Sequence, residues 1–442
     1  MRIIIFEGAV EPLDFQLEEI RSVLVTKYDA DVLVINSKDL LKGLGSLENF
    51  TKQKVDCLFT MNNLGINLTL SGNNNLWELF QIPIINLIVD HPMNYDEVLL
   101  SAPSNMVLGV VDRNHIDYVK RFYPNIKGVF FFPLGGVPAD ENCLEEEGTD
   151  TKESADGDVH KSVAGANARD IDIFYPGGIS KPFLGNMVPD DLEKYQKYFD
   201  IEKFQKDIFD RLTGEPSITF ERAVEDKLTE LSIIPDDQND KYTTNSGNPK
   251  NAAGGTGALQ ADAESDTFLR KTISDFRFLE GLACSYFREN IIHEIISAGL
   301  KVTVCGNGWN ALPISKEPNF DYRGLVPMKE VLAMMSHSKL VLNTLTWFKA
   351  GFHDRIPNAM LRHAALITDE SSYINERFLE NGKEMVHFSL SEISTLPDTI
   401  NELLRDDGKR NEMAENGYEK ALKEDTWEAR VEEYLLPEIG KL

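Results

Sequence analysis

Apolar residues are gathered along the first 138 positions into short unbroken runs, separated by longer stretches of mixed character. The runs at 2–6, 31–35, 57–60, 84–89, 106–110 and 128–132 predict strands. They do not alternate with polar residues: Ile82-Pro83-Ile84-Ile85-Asn86-Leu87-Ile88-Val89 is apolar nearly throughout, the pattern of a parallel strand covered on both faces. Between the runs, 14–28 and 74–80 space their apolar residues as helices do. Strand and helix in alternation predict an open parallel α/β sheet.

The pattern breaks at 139–170, an acidic stretch poor in large apolar groups that reads as an exposed linker. A second unit opens at Asp172-Ile173-Phe174-Tyr175-Pro176-Gly177-Gly178. Residues 182–231 read as amphipathic helix, and 236–265 are of low complexity and read as disordered. A long helix is expected over 267–298, with Phe276, Leu279, Ala283, Tyr286, Phe287, Ile291 and Ile295 on one buried stripe. Strands follow at 301–305, 340–343 and 365–368, and the last helices at 396–404, 407–424 and 427–436. The expected organisation is an N-terminal Rossmann-like acceptor half at 1–138, the linker, a second Rossmann-like half at 171–426 with helical and disordered insertions, and a final helix at 427–442 packing back on the first half. Two such halves face one another across a cleft and place ligands at the carboxyl ends of both sheets.

Charge narrows the class of partner. Among 442 residues, 45 Lys and Arg stand against 72 Asp and Glu, a net charge of −27 that repels nucleic acid and anionic lipid. Lys52-Gln53-Lys54 and Lys120-Arg121 are too small to reverse this and read as solvated surface. Cysteines 57, 143, 284 and 305 are scattered with no C-x-x-C pair, against both a zinc site and a disulfide framework. The opening MRIIIFEGAVEPL is too short an apolar run for a signal segment or a span, so a cytoplasmic location is expected.

The chemistry is concentrated at 351–378, read as a loop, a helix at 356–363, a buried strand and the acidic turn Thr368-Asp369-Glu370. His353, Asp354 and Arg355 enter that helix, and free amides with a favourable dipole make such an entry an anion site. Arginine suits a diphosphate because its planar fork donates two hydrogen bonds and stays charged. Gly177, Gly178 and Lys181 form a turn where backbone could approach phosphate, or else a plain turn. Gly306, Asn307, Gly308 and Trp309 follow a strand but lead into a turn and not a helix, which rules out a dinucleotide fingerprint. In the first half, Asp90 and His91 end the most apolar strand and supply both residue types for acid–base catalysis; the alternative is that they cap the strand. Glu7, Gly8, Asn62 and Asn63 end neighbouring strands and are candidates for the acceptor side, although each is also an ordinary turn former. The eight histidines contain no H-x-H or H-E-x-x-H, and the D-x-D matches at Asp156-Gly157-Asp158 and Asp170-Ile171-Asp172 end no strand. No metal and no cofactor is therefore expected.

Residues 285–435 resemble the nucleotide-sugar half of group 1 GT-B glycosyltransferases, in particular the type related to the spore-maturation protein CgeB. The matching stretches are Lys301-Val302-Thr303-Val304-Cys305-Gly306-Asn307-Gly308-Trp309, Tyr322-Arg323-Gly324-Leu325-Val326-Pro327, Ser338-Lys339-Leu340-Val341-Leu342-Asn343 and the 351–378 segment. The resemblance implies the GT-B fold and a metal-independent transfer of sugar from a nucleoside diphosphate donor, UDP-linked first, to a protein or soluble glycan of flagellin or spore-coat kind. It implies a base site near Gly324, Leu325 and Val326, phosphates near 352–355 and a ribose near Asn358. Where many retaining members carry paired glutamates this chain has Ala350 and Asn358. That departure keeps two rivals open, a non-catalytic nucleotide-binding or assembly protein and a sugar-nucleotide epimerase.

Overall fold

The computed structural model describes residues 1–69, 74–139, 169–235 and 256–442, with the side chains of 256–263 left aside. Two six-stranded sheets, parallel throughout, form its centre. The first comprises β1 (Arg2–Glu7), β2 (Asp31–Asn36), β3 (Cys57–Met61), β4 (Ile84–Ile88), β5 (Met106–Val110) and β6 (Gly128–Phe131), in the order β2-β1-β3-β4-β5-β6. The second comprises β7 (Ile171–Pro176), β8 (Val302–Cys305), β9 (Phe320–Tyr322), β10 (Ser338–Leu342), β11 (Ala365–Asp369) and β12 (Val386–Phe388), in the order β12-β11-β10-β7-β8-β9. Strand order reverses between β1 and β3 in one sheet and between β7 and β10 in the other. At such a point neighbouring loops leave in opposite directions and open a crevice for a ligand.

The unbroken apolar runs make sense in the packing. Every residue of β3, β4 and β5 is buried, and alternate positions serve different cores. Ile4, Phe6, Leu58, Ile84 and Ile88 pack with Phe204, Ile208, Leu212, Phe220 and Phe276, from helices that follow β7 in sequence. The helical insertion of the second half thus roofs the sheet of the first. On the opposite face, Ile3, Ile5, Phe59 and Leu87 share a core with Val341, Leu366, Phe352, Ile356 and Trp427. That core runs through both halves. The outer face of the second sheet is covered by Ile291, Ile292, Ile295 and Ile400.

The long helix expected over 267–298 is two helices, Thr256–Phe276 and Phe278–Ser297, interrupted at Arg277. The supposed single stripe feeds two cores: Phe276 belongs to the roof of the first sheet and Ile291 to the second. Helix also extends back to Thr256, into the stretch 236–265 read as disordered; residues 236–255 of that stretch lie outside the described part. So do 140–168, with most of the acidic linker and Asp156-Gly157-Asp158. The edge strands β9 and β12, three residues each, carry too little pattern to be read from sequence.

The chain returns to the first half at its end. Gly136 N donates to Asp425 O at 2.8 Å and Trp427 N to Gly136 O at 3.1 Å. A side chain at Gly136 would put its Cβ 2.9 Å from Pro357 C, so glycine lets the two halves touch here. Lys27 pairs with Glu428 and Glu432, and Tyr28 Oη donates to Glu432 at 2.6 Å. Among the described residues no helix is long and apolar enough to cross a membrane.

Candidate functional site

At the crevice of the second sheet two guanidinium groups meet. Arg288, on the helix Phe278–Ser297, is 6% exposed and donates from Nε to Thr344 Oγ1 at 3.0 Å and from Nη1 to Gly178 O at 2.9 Å. Arg355 is 8% exposed and donates to Pro176 O at 2.9 Å and Thr344 O at 3.4 Å, the carboxyl ends of β7 and β10. Burial lowers the Arg355 pKa, Tyr175 opposes the lowering, and the nearby Arg288 adds to it. Two cations that disfavour each other in a strongly acidic chain are a standing attraction for an anion. Gly177 is needed at this spot because a Cβ there would fall 2.9 Å from Arg355 Nη1. Half-buried Trp347 lies under the Arg288 guanidinium, 5.0 Å from its centroid, and half-buried Lys349 donates to Thr346 O.

The glycine loop after β8 supports this crevice from behind. Gly177 N donates to Cys305 O at 2.9 Å and Ile179 N to Asn307 O at 2.8 Å, and Gly306 N donates to Gly324 O at 2.8 Å. Trp309 is fully buried, and its Nε1 donates to Gly177 O at 2.7 Å, so it pins the loop and presents no face to a ligand. Gly308 adopts φ 92° and Gly306 φ 126°. Asn307 and Leu325 are exposed at the rim and Val326 is half-buried there. Lys181 is drawn off to Glu289 at 2.9 Å.

The 353–358 segment is built differently from its sequence reading. The helix is only Arg355–Met360, and its entry amides are already used: Arg355 N faces His353 Nδ1 at 3.3 Å, Ile356 N donates to His353 O, and Asn358 N donates to Asp354 O. Asp354, 6% exposed, accepts from Gln16 Nε2 at 3.3 Å across the halves and lies 2.5 Å from His353 Nδ1. Burial, then Arg355, lowers the His353 pKa; the Asp354 pKa is lowered too, His353 and Arg355 outweighing the burial that would raise it. Any anion here meets guanidinium groups and not the helix terminus. Asn358 is 1% exposed and accepts from Val137 N at 2.9 Å, while Ala350 N donates to Asp112 Oδ2 at 2.8 Å. Both positions that lack glutamate stitch the seam between the halves.

Across the cleft, the crevice of the first sheet is lined by amides and carboxylates. Glu7 accepts from Asn36 Nδ2 at 2.9 Å, and Gly8, at φ 100°, donates to Asp14 Oδ1 at 2.8 Å. Asn62 and Asn63 are both left-handed, at φ 48° and 65°, a conformation that asparagine tolerates better than most residues. Asn62 Nδ2 and Tyr95 Oη donate to Asp90 Oδ2 at 3.1 and 2.7 Å, and Asn63 Nδ2 is buried without a partner among the described residues. His91 has left this surface. It is 4% exposed, its Nδ1 accepts from Met93 N at 3.0 Å, and its Nε2 lies 3.4 Å from Glu221 of the insertion. Burial works against its charge, but Glu221 outweighs burial and holds the His91 pKa above its ordinary value. The capping alternative fits His91; Asp90 stays half-buried at the strand end.

Sequence reading missed Arg288 and Trp347. A signal existed: Cys284, Arg288, Ile291 and Ile295 lie on one helical face, and a cation in an apolar stripe needs a reason. Among the described residues no group of three or more His, Cys, Asp or Glu is arranged to hold a metal ion.

Comparison with known proteins adds to this geometry. Residues 288–436 match the model of a family described as glycosyl transferase-like. No curated protein matches the sequence. Among solved structures, an alpha-glucosyltransferase in complex with UDP and a 13-mer DNA is similar with TM-score 0.50 and 12% identity over all of both chains. Anabaena Alr3699/HepE in complex with UDP-glucose gives TM-score 0.47 and 10% identity over all of both chains. A sucrose-phosphate synthase from Thermosynechococcus elongatus gives 0.44 and 10%, covering all of this chain and 98% of its own. At 12% identity the first of these likenesses concerns the fold alone, and the two parallel sheets agree with it. The chain thus has the two-sheet GT-B fold, and its residues 288–436 match a family described as glycosyl transferase-like.

Proposed function

We propose that the protein transfers a sugar from a nucleoside diphosphate donor, UDP-linked first among them, to an acceptor hydroxyl. The observation that carries this reading is the pair Arg288 and Arg355 at the crevice between β7 and β10, two buried cations in a chain of net charge −27. Their guanidinium groups would neutralise the leaving diphosphate, the task that a divalent cation performs in other transferases. The rim at Gly324, Leu325 and Val326 would take the base. Asp90, which holds its two hydrogen bonds on Oδ2, would receive the acceptor proton on Oδ1 as the acceptor oxygen bonds to the sugar and the bond to phosphate breaks. His91 has no part in this step. The CgeB-like resemblance and the acidic surface support a cytoplasmic protein or soluble glycan as acceptor, not a lipid in an anionic membrane.

A second reading, nucleotide binding without transfer, is favoured by one observation: Ala350 and Asn358 are spent on the seam between halves. A thermal-shift screen with UDP, GDP, ADP and dTDP, followed by calorimetry with EDTA present, tests both. Binding at a hundredfold excess over Kd should stabilise the chain by about 2.7 kcal/mol. A diphosphate that binds in EDTA supports the site, and release of free sugar or transfer to acceptor separates turnover from binding. Failure of all four diphosphates to bind would remove both readings.

A further inference from the structure

The loop after β10 holds a conformation its sequence disfavours. Thr346 is β-branched yet sits at φ 47°, in the left-handed region such residues avoid. What keeps it there comes from the next strand. Asp369 ends β11, is 1% exposed, and accepts from Leu345 N on Oδ1 at 2.5 Å and from Thr346 N on Oδ2 at 2.8 Å. Lys349 Nζ donates back to Thr346 O, and Ser372 N donates to Lys349 O at 2.9 Å. The loop so fixed carries Thr344, which accepts from Arg288, and Trp347, on which Arg288 rests.

Resting on the nucleotide reading above, we propose that Asp369 is a positioning residue for the donor site: by holding the Leu345 and Thr346 amides it keeps the loop 344–349 in the form that sets Arg288 and Trp347 at the crevice. Asp369 itself does not line the crevice. Its carboxylate acts through the backbone it holds, because both oxygens accept from amides and replacing one by an NH2 group would set donor against donor. Strain at an outlier persists only where the surroundings over-determine it, and here the Leu345 and Thr346 amides are both held by one buried side chain, with Lys349 on the Thr346 carbonyl.

The test uses the full chain with Asp369→Asn, Thr346→Gly and the two combined. UDP affinity is measured by calorimetry, and exchange of the Leu345 and Thr346 amides is measured without nucleotide. Asp369→Asn is expected to weaken UDP about 10-fold or more and to speed exchange of both amides at least as much. Thr346→Gly, which removes the penalty of the left-handed conformation, should leave UDP affinity within about 3-fold, and in the double variant should restore about 3-fold or more of what was lost. Wild-type affinity in Asp369→Asn would overturn the proposal. So would a double variant no better than Asp369→Asn, since Asp369 would then serve the fold at large. Where Asp369→Asn does not fold, Thr346→Gly alone decides, a loss of about 10-fold there showing that the threonine side chain matters and not the held backbone. If the wild-type chain binds none of UDP, GDP, ADP and dTDP, the nucleotide reading falls, and unchanged exchange in Asp369→Asn is what would separately refute the hold on the loop.

Discussion

The two sheets present the same kind of crevice with opposite chemistry. Between β7 and β10 the crevice is cationic, with Arg288 bound to carbonyl and hydroxyl oxygens, Arg355 to carbonyl oxygens and His353 Nδ1, and a half-buried Lys349 beside them. At the ends of β1, β3 and β4 the first sheet instead presents Glu7, Asn62, Asn63 and Asp90, which bond mainly to one another and to Asn36, Asn86 and Tyr95. Backbone topology therefore decides where a ligand can sit, and side chains decide what it can be. On the function proposed above, a diphosphate would enter the first crevice and a hydroxyl-bearing acceptor the second.

Variants can break or sharpen this contrast. The largest effects should come from buried groups that hold each crevice in shape. Arg355→Ala leaves the Pro176 and Thr344 carbonyls without their donor, and His91→Ala takes from the buried Glu221 the imidazole that offsets its burial; each should cost about 3–5 kcal/mol, read as a lower Tm. An unchanged Tm for His91→Ala would return it to the list of functional groups. Next comes the acceptor side, where Asp90→Asn should lower turnover roughly 100-fold while UDP affinity stays the same, a split that assay and calorimetry read separately. The donor side should show the converse: Arg288→Ala is expected to weaken UDP by about 1.5–3 kcal/mol and uridine hardly at all. Equal loss for both ligands would place Arg288 near the base.

The smallest effect belongs to the seam between halves and depends on pH. Glu280 has its pKa pushed up to about 7, from an ordinary value of 4.5, mainly by burial, with His91 and Lys349 opposing and Glu221 and Asp112 adding to the rise. The folded chain then binds the Glu280 proton more tightly than the unfolded one. Its contribution is full below pH 4.5 and is lost as pH rises through 7. Glu280→Gln should accordingly stabilise the chain by about 2 kcal/mol at pH 8, and the gain should vanish toward pH 4.5 in thermal melts. A gain independent of pH would assign it to packing.

Much of the fold was legible because buried parallel strands write themselves as continuous apolar runs. β1 to β6 were each expected within a residue or two of their observed bounds, and Asp407–Glu424 was expected in full. What stayed hidden was which surface each element covers. The insertion helices roof the first sheet, and that contact buries His91, a relation between residues some 130 apart that no local pattern records. The 351–378 segment was legible as a concentration of polar chemistry but not as a geometry: Arg355 lies buried against Pro176 O, while the helix entry beside it proved already bonded. Arg288 lies outside that segment, and only its cation in an apolar stripe could have marked it.

The contrast between crevices can be measured directly by amide hydrogen exchange on the full chain, free and saturated with UDP. The account predicts slowed exchange at 177–181 and 344–349, with 62–64 unchanged. Protection at 62–64 with none at 344–349 would contradict it, placing the nucleotide on the first sheet and reversing the roles of the two halves.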